Sequence, residues 1–203
     1  MVLMAAALII SSACDSGKSP IGPTGPGVTE LVAGRWRGIL RLTEVRRNAS
    51  RNYVDSCVRA LPQFTVGTLT PVTLEVVGTG ETQEEFFGTA SGVSARLANL
   101  STGSSCELHA WILPAVKWSV SLFASRCDPN VVTIRCDNGE VRELRLLNTG
   151  AAALSKQDVV VQLRVDGNSA TGSVSETWDV FVAGNRAEED RLYFWSELSV
   201  SRE

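Results

Sequence analysis

Apolar and polar residues alternate with a period of two at both ends of the chain's folded portion. Trp36, Gly38, Leu40 and Leu42 share one parity, and Arg35, Arg37 and Arg41 share the other. Leu192, Phe194, Leu198 and Val200 alternate in the same way with Arg191, Tyr193, Glu197 and Ser199. Successive side chains of a strand point to opposite faces, so each run predicts a strand with one buried face. Between these ends, strand-like runs recur over Pro71–Val77, Glu85–Ala90, Cys106–Leu113, Lys117–Ala124, Val131–Cys136, Val141–Leu147, Val159–Val165 and Val174–Val182. Asp137-Asn138-Gly139, Asp166-Gly167-Asn168 and Gly184-Asn185 punctuate them as turns. Helical signals are confined to Ser56–Gln63 and Ser94–Asn99. Regularly spaced strands and turns predict an all-β fold, an antiparallel meander barrel of about eight strands, with a β-sandwich as the alternative.

The first residues follow another rule. Val2 to Ile10 is an unbroken apolar run. It is too short to cross a ~30 Å hydrocarbon core, which takes roughly 20 helical residues. It fits the apolar region of a signal peptide, with small residues at the cleavage site. From Asp15 to about Thr29 the chain is small, polar and rich in Gly and Pro, the composition of a tether. The expected organisation is a signal peptide over 1–13, a modified N-terminus and flexible tether over 14–29, and a barrel over 30–203.

Ser11-Ser12-Ala13-Cys14 resembles the lipobox of bacterial prolipoproteins. Ser12 and Ala13 match its small positions, whereas Ser11 stands where Leu is usual and no Lys or Arg precedes the apolar run. The resemblance implies cleavage before Cys14, a diacylglyceryl thioether on its sulfur and an acyl chain such as palmitate on its new amino group. At about 0.8 kcal/mol per buried methylene, several chains hold a protein to a bilayer. The expected location is the bacterial cell envelope, outside the cytoplasm. Asp15 resembles an inner-membrane retention signal of enteric bacteria, and the choice of inner or outer membrane stays open.

Gly34-Arg35-Trp36 at the head of the first strand, the meander after it and closure of first strand on last resemble the lipocalin-like, calycin-type barrels, over most of residues 31–203. Cys136-Asp137-Asn138-Gly139 and Ser175-Glu176-Thr177-Trp178 are similar to envelope lipoproteins of this barrel type. A specific register follows if the end strands pair antiparallel with Trp36 opposite Arg202. Gly38 then faces Val200, Leu40 faces Leu198, and Arg41 meets Glu197 on the outer face as an opposite-charge pair. The resemblance implies that Arg202 lies across the Trp36 ring, a cation–π contact worth roughly 0.5–2 kcal/mol.

Charge and cysteine count narrow the partners. A net charge of −3 argues against general nucleic-acid binding. Setting Cys14 aside leaves Cys57, Cys106, Cys127 and Cys136, an even number that suggests two disulfides in an exported protein. Cys106 and Cys127 lie symmetrically about a turn near Val116-Lys117, which pairs them and leaves Cys57 with Cys136. The rival is Cys57–Cys106 with Cys127–Cys136. No Cys-x-x-Cys spacing occurs and His109 is the only His, so no metal is expected.

Nothing points to catalysis. His109 is out of phase with Leu108, Ala110 and Ile112 and reads as a surface residue. Nucleophile elbows and phosphate-cradling glycine loops are missing from the sequence. Glu84-Glu85 and Glu188-Glu189-Asp190 read as solvated turns. Arg35, Arg37, Arg41, Arg46, Arg47 and Arg51 form a basic stretch near the anchor, either paired with acidic neighbours or facing anionic headgroups or cell-wall polymer. The expected role is a non-catalytic, cofactor-free, monomeric lipoprotein that holds a small apolar ligand in its barrel. Trp36, Trp118, Leu163, Trp178 and Phe194 are candidate lining residues. Glu176, on the parity of Trp178, either orients that ligand or sits at the rim. The alternative is a filled barrel acting through its surface or loops; an open lumen above ~300 Å³ separates the two.

Overall fold

The alternation at Gly34–Arg47 does form a strand, β1, and its apolar parity turns inward. Trp36, Leu40 and Leu42 are buried while Arg35, Arg37 and Arg41 are exposed. The computed structural model describes residues 28–47, 64–86, 88–113, 119–136, 138–147, 158–182 and 185–203. Cys14, Arg51, Cys57, Trp118 and the helix expected at Ser56–Gln63 lie outside them.

A short helix, α1 (Val28–Val32), precedes β1. Then follow β2 (Leu69–Glu85), β3 (Gly88–Ala98), β4 (Ser105–Ile112), β5 (Ser119–Asp128), β6 (Val131–Arg135), β7 (Val141–Arg145), β8 (Val159–Asp166), β9 (Ser169–Val182) and β10 (Asn185–Arg202). Every pairing is antiparallel. The order β10-β1-β2-β3-β4-β5-β8-β9, with β9 paired back to β10, closes an eight-stranded, lipocalin-like barrel and excludes the sandwich. The other two strands, β6 and β7, form a hairpin outside this meander. β7 pairs with Asp179–Val182 of β9, and β8 pairs with Ser169–Glu176 of the same strand. One long strand thus carries two shorter ones along a single edge.

The closing seam has the register expected from the sequence: Trp36 opposite Arg202, Gly38 opposite Val200, Leu40 opposite Leu198 and Arg41 opposite Glu197. The Arg202 guanidinium lies 4.6 Å from the Trp36 ring centroid. Its Nη2 donates to the Leu31 carbonyl at 2.5 Å, and the Trp36 indole N–H donates to the Val32 carbonyl at 3.1 Å. α1 is thereby fastened across one end of the barrel, called the lower end here. Gly34, just before the seam, has a φ of +138°, a conformation that favours glycine.

The inward parity fills the barrel. Trp36 is 1% exposed, and Trp178, Phe194, Leu97 and Val161 are at 0%. A lumen holding a water-sized probe would leave its lining side chains exposed, so these residues border none. An eight-stranded barrel is just wide enough for side chains to fill it. Two inward glycines let neighbouring strands approach: a Cβ on Gly38 would sit 1.9 Å from the Ser199 carbonyl oxygen, and one on Gly172 would sit 1.8 Å from that of Gln162.

Several local expectations are corrected. Ser94–Ala98 is strand, not helix, because it continues β3 against β2 and β4, and Asn99 lies just past its end. Glu85–Ala90 is no strand of its own but spans the turn between β2 and β3. That hairpin runs past the last β1–β2 pair, Gly34 with Val76, and carries Phe86 at its tip, 93% exposed. Glu188-Glu189-Asp190 lies within β10 rather than in a turn. The arginines of β1 do not cluster at one end. Arg35 and Arg37 are at the lower end, and Arg46 and Arg47 are at the upper end of the strand, away from α1. Arg35 pairs with Glu75 and Glu203, Arg37 with Glu203, Arg41 with Glu197 and Arg46 with Glu44. Exposed pairs of this kind contribute about 0–1 kcal/mol each.

Cys106 and Cys127 face each other across β4 and β5 and form a disulfide, which removes the rival connectivity. Cys136 is disulfide-bonded as well, and Cys57, its expected partner, lies outside the described residues.

The glycine at the seam gives a direct test of this packing. Gly38→Ala is expected to lower unfolding free energy by about 2–3 kcal/mol, at the upper side of overpacking costs, because the intruded atom is a ladder carbonyl. Urea denaturation of the two proteins measures it. An unchanged midpoint would mean that the strands do not approach as described.

Candidate functional site

The upper end of the barrel holds a group of polar side chains that strand alternation alone does not explain. β9 alternates Val174, Glu176 and Trp178 inward, so its parity delivers a carboxylate into the interior. Glu176 stands between Val159 of β8 and Phe194 of β10 and is 1% exposed. It is therefore buried in the core and not at the rim.

Its cover comes from the loop joining β3 to β4. Asn99 takes a positive φ of 64°, which turns the chain back over the barrel. The Leu100 N–H donates to the Ser104 carbonyl and the Gly103 N–H to the Leu100 carbonyl, both at 2.8 Å. This compact loop buries Leu100, Ser101, Thr102 and Ser104 and leaves Gly103 exposed at its tip. Thr102 Oγ1 donates to Glu176 Oε2 at 2.9 Å, and the Trp178 indole N–H donates to the same oxygen at 3.1 Å. Ser101 and Ser196 hydroxyls lie 3.2 Å apart, and the Ser104 hydroxyl donates to the Pro129 carbonyl at 2.7 Å. Phe64 packs on Phe194 with ring centroids 5.1 Å apart.

Glu176 Oε1 has no hydrogen-bond partner. Burial pushes the carboxyl up from its ordinary 4.5 to about 7, while the Thr102 hydroxyl, the Trp178 indole and the Ser101 main chain pull it back down. A buried carboxyl loses the hydration that favours its charged form, and here that loss outweighs the donors. The other two buried carboxylates among the described residues are satisfied differently. Asp158 accepts from the Leu147 N–H at 2.7 Å, and Asp179 accepts from Arg191 Nε at 3.1 Å.

The candidate lining residues are only partly brought together. Trp178, Phe194 and Glu176 meet at the upper end. Trp36 is at the lower end under Arg202, eight β10 residues from Phe194, on the order of 26 Å of strand. Leu163 is buried on β8. A shallow cleft of about 380 Å³ lies between Thr70, Pro71 and Asn99–Gly103; it is on the outer side of the loop and is not the lumen. His109 points outward and is half-buried, out of phase with Leu108, Ala110 and Ile112. Among the described residues no three His, Cys, Asp or Glu side chains are grouped to hold a metal ion.

Thr102, Ser101 and Ser196 are the contributors that sequence reading missed. Ser196 had a signal, since it interrupts the apolar parity of β10 between Phe194 and Leu198. Thr102 had none, because Ser101-Thr102-Gly103-Ser104 reads as an ordinary exposed turn.

The class these features define is a closed, filled antiparallel barrel with a titratable carboxyl sealed under one loop. No protein-family model matches the chain, and neither a curated protein nor a solved structure matches it.

The raised carboxyl makes stability depend on pH. The folded chain binds this proton more tightly than the unfolded chain does. Its contribution is therefore fully present below 4.5 and is lost as pH rises through about 7. The span corresponds to at most roughly 3 kcal/mol. Glu176→Gln is expected to remove this decline, which chemical denaturation across pH 4.5–8 measures. An equal decline in the variant would assign it to another group.

Proposed function

We propose that this chain is an exported, lipid-anchored envelope protein without a catalytic role, and that its barrel is a filled scaffold working through its outer face and upper loops. The observation that carries this reading is the interior: Trp36, Trp178 and Phe194, the residues suited to lining a ligand cavity, are 0–1% exposed. A barrel built to hold one small ligand needs space that these side chains take up. The apolar leader, Cys14 and the Gly/Pro tether support export and anchoring. The disulfide between Cys106 and Cys127 is in keeping with an oxidising compartment. Because α1 and the Trp36–Arg202 seam are at the lower end, a lipid on Cys14 would leave the upper loops facing away from the bilayer.

Two measurements test this reading in a bacterial host. Native mass spectrometry of the detergent-extracted protein is expected to show the acylated chain with no further small molecule, whereas a stoichiometric apolar ligand would favour the ligand-carrier reading. Cys14→Ala is expected to move the protein from the membrane to the soluble fraction and to lose acyl mass; a variant that still fractionates with membranes would overturn the anchor.

A further inference from the structure

We propose that Glu176 is a proton-operated latch for the 99–104 loop: the protonated carboxyl keeps the loop seated in the upper end of the barrel, and ionisation releases it. The inference is independent of whether Cys14 carries lipid.

The argument starts from the unpartnered oxygen. Thr102 and Trp178 both donate to Oε2, and Oε1 is buried with no hydrogen bond. A neutral carboxyl tolerates that arrangement. An anion spreads its charge over both oxygens, and Oε1 then needs donors, of which the described residues offer only the weak approach of the Ser101 main chain. Water is the remaining donor, and the covering elements differ in how easily they let it in. β8 and β10 flank Glu176 through Val159 and Phe194, both held in continuous ladders. The loop is held by side-chain hydrogen bonds from Ser101, Thr102 and Ser104 and by the burial of Leu100. Moving it breaks no strand pairing, so it is the cheapest route for solvent to the carboxylate.

Among the described residues no other charge competes for control of this group. The loop contributes Leu100, Ser101, Thr102 and Ser104, β8 contributes Val159, β9 Trp178, and β10 Phe194 and Ser196, all uncharged. Asp158, at the start of β8, accepts from the Leu147 N–H, and Asp179 of β9 is paired with Arg191. The influences on Glu176 are burial and three hydrogen bonds, with no charged side chain among them.

Linkage fixes the direction. The seated carboxyl titrates at about 7 and a hydrated one at its ordinary 4.5. Deprotonation therefore favours the open loop, tenfold per pH unit across that window and roughly 300-fold in total.

Hydrogen exchange on the full chain between pH 4.5 and 7.5, corrected for the intrinsic pH dependence of exchange, reads this directly. The Leu100 and Gly103 amides, which close the loop's own hydrogen bonds, are expected to exchange through loop opening and to lose up to about 300-fold in protection, while Leu198 in the seam, which exchanges on global unfolding, stays far more protected at every pH. The Trp178 indole N–H resonance is expected to titrate in the same window, and Glu176→Gln to abolish both changes. Loop protection that stays flat with pH, that equals Leu198 protection in magnitude, or that falls equally in the variant, would overturn the latch. Should Glu176→Gln fail to fold, Thr102→Val serves instead. It is expected to weaken loop protection at pH 4.5 and to keep the pH dependence; unchanged protection would also overturn the proposal.

Discussion

The pairing of Trp36 with Arg202 is the constraint on which the rest of the barrel depends. It joins the first strand to the last, and a meander of paired strands has free edges until that join is made. One side chain does several jobs there. The guanidinium covers the indole at 4.6 Å, reaches the Leu31 carbonyl and so fixes α1 across the lower end. The main chain reinforces it, with the Arg202 N–H donating to Asn168 and the Glu203 N–H to Arg35. Since the register of a strand sets which face every later side chain takes, this one pair decides that Leu40, Leu198, Gly38 and Val200 turn inward.

Once closed, the barrel leaves little freedom inside. Two inward glycines, Gly38 and Gly172, are squeezed against carbonyls of neighbouring strands, which is consistent with a narrow barrel whose strands coil strongly. The remaining inward positions are mostly aliphatic or aromatic, with alanines, cysteines, Glu176 and Ser196 among them, and are buried. Residues that look like a ligand's lining in the sequence are therefore core in the structure. A buried Trp at strand spacing is ambiguous between these roles, because a lining and a core need the same apolar parity; only the width of the closed barrel separates them.

Much of the barrel was legible for that reason, and the site was not. Period-two alternation at Trp36–Leu42 and Leu192–Val200 gave strand and face together, because a one-residue slip would have exposed every apolar side chain. The register itself came from setting Trp36 opposite Arg202, in line with the resemblance to calycin-type barrels. The symmetric spacing of Cys106 and Cys127 worked for the same geometric reason. The β6–β7 hairpin was visible as two strands but not as an excursion from the meander. Its attachment to the upper half of β9 depends on how long β9 runs past β8, and local patterning does not encode that. Ser94–Asn99 looked helical in isolation, and Ser94–Ala98 became strand through its pairings with β2 and β4. The 99–104 loop was least readable: short runs of Ser, Thr and Gly carry the same composition whether they point to solvent or fold over a barrel mouth.

The two ends of the barrel are closed by opposite chemistry. Among the described residues only two buried side-chain polar atoms lack a hydrogen-bond partner, Arg202 Nε at the lower end and Glu176 Oε1 at the upper end. The first is compensated, because the guanidinium lies against the electron-rich face of Trp36. The second faces no such compensation, and its carboxyl changes charge near neutrality. The lower closure joins strand to strand. The upper closure rests on a loop over a titrating acid. A barrel sealed in this way concentrates its conformational freedom at one end, the end farther from α1, while the seam holds the other end fixed.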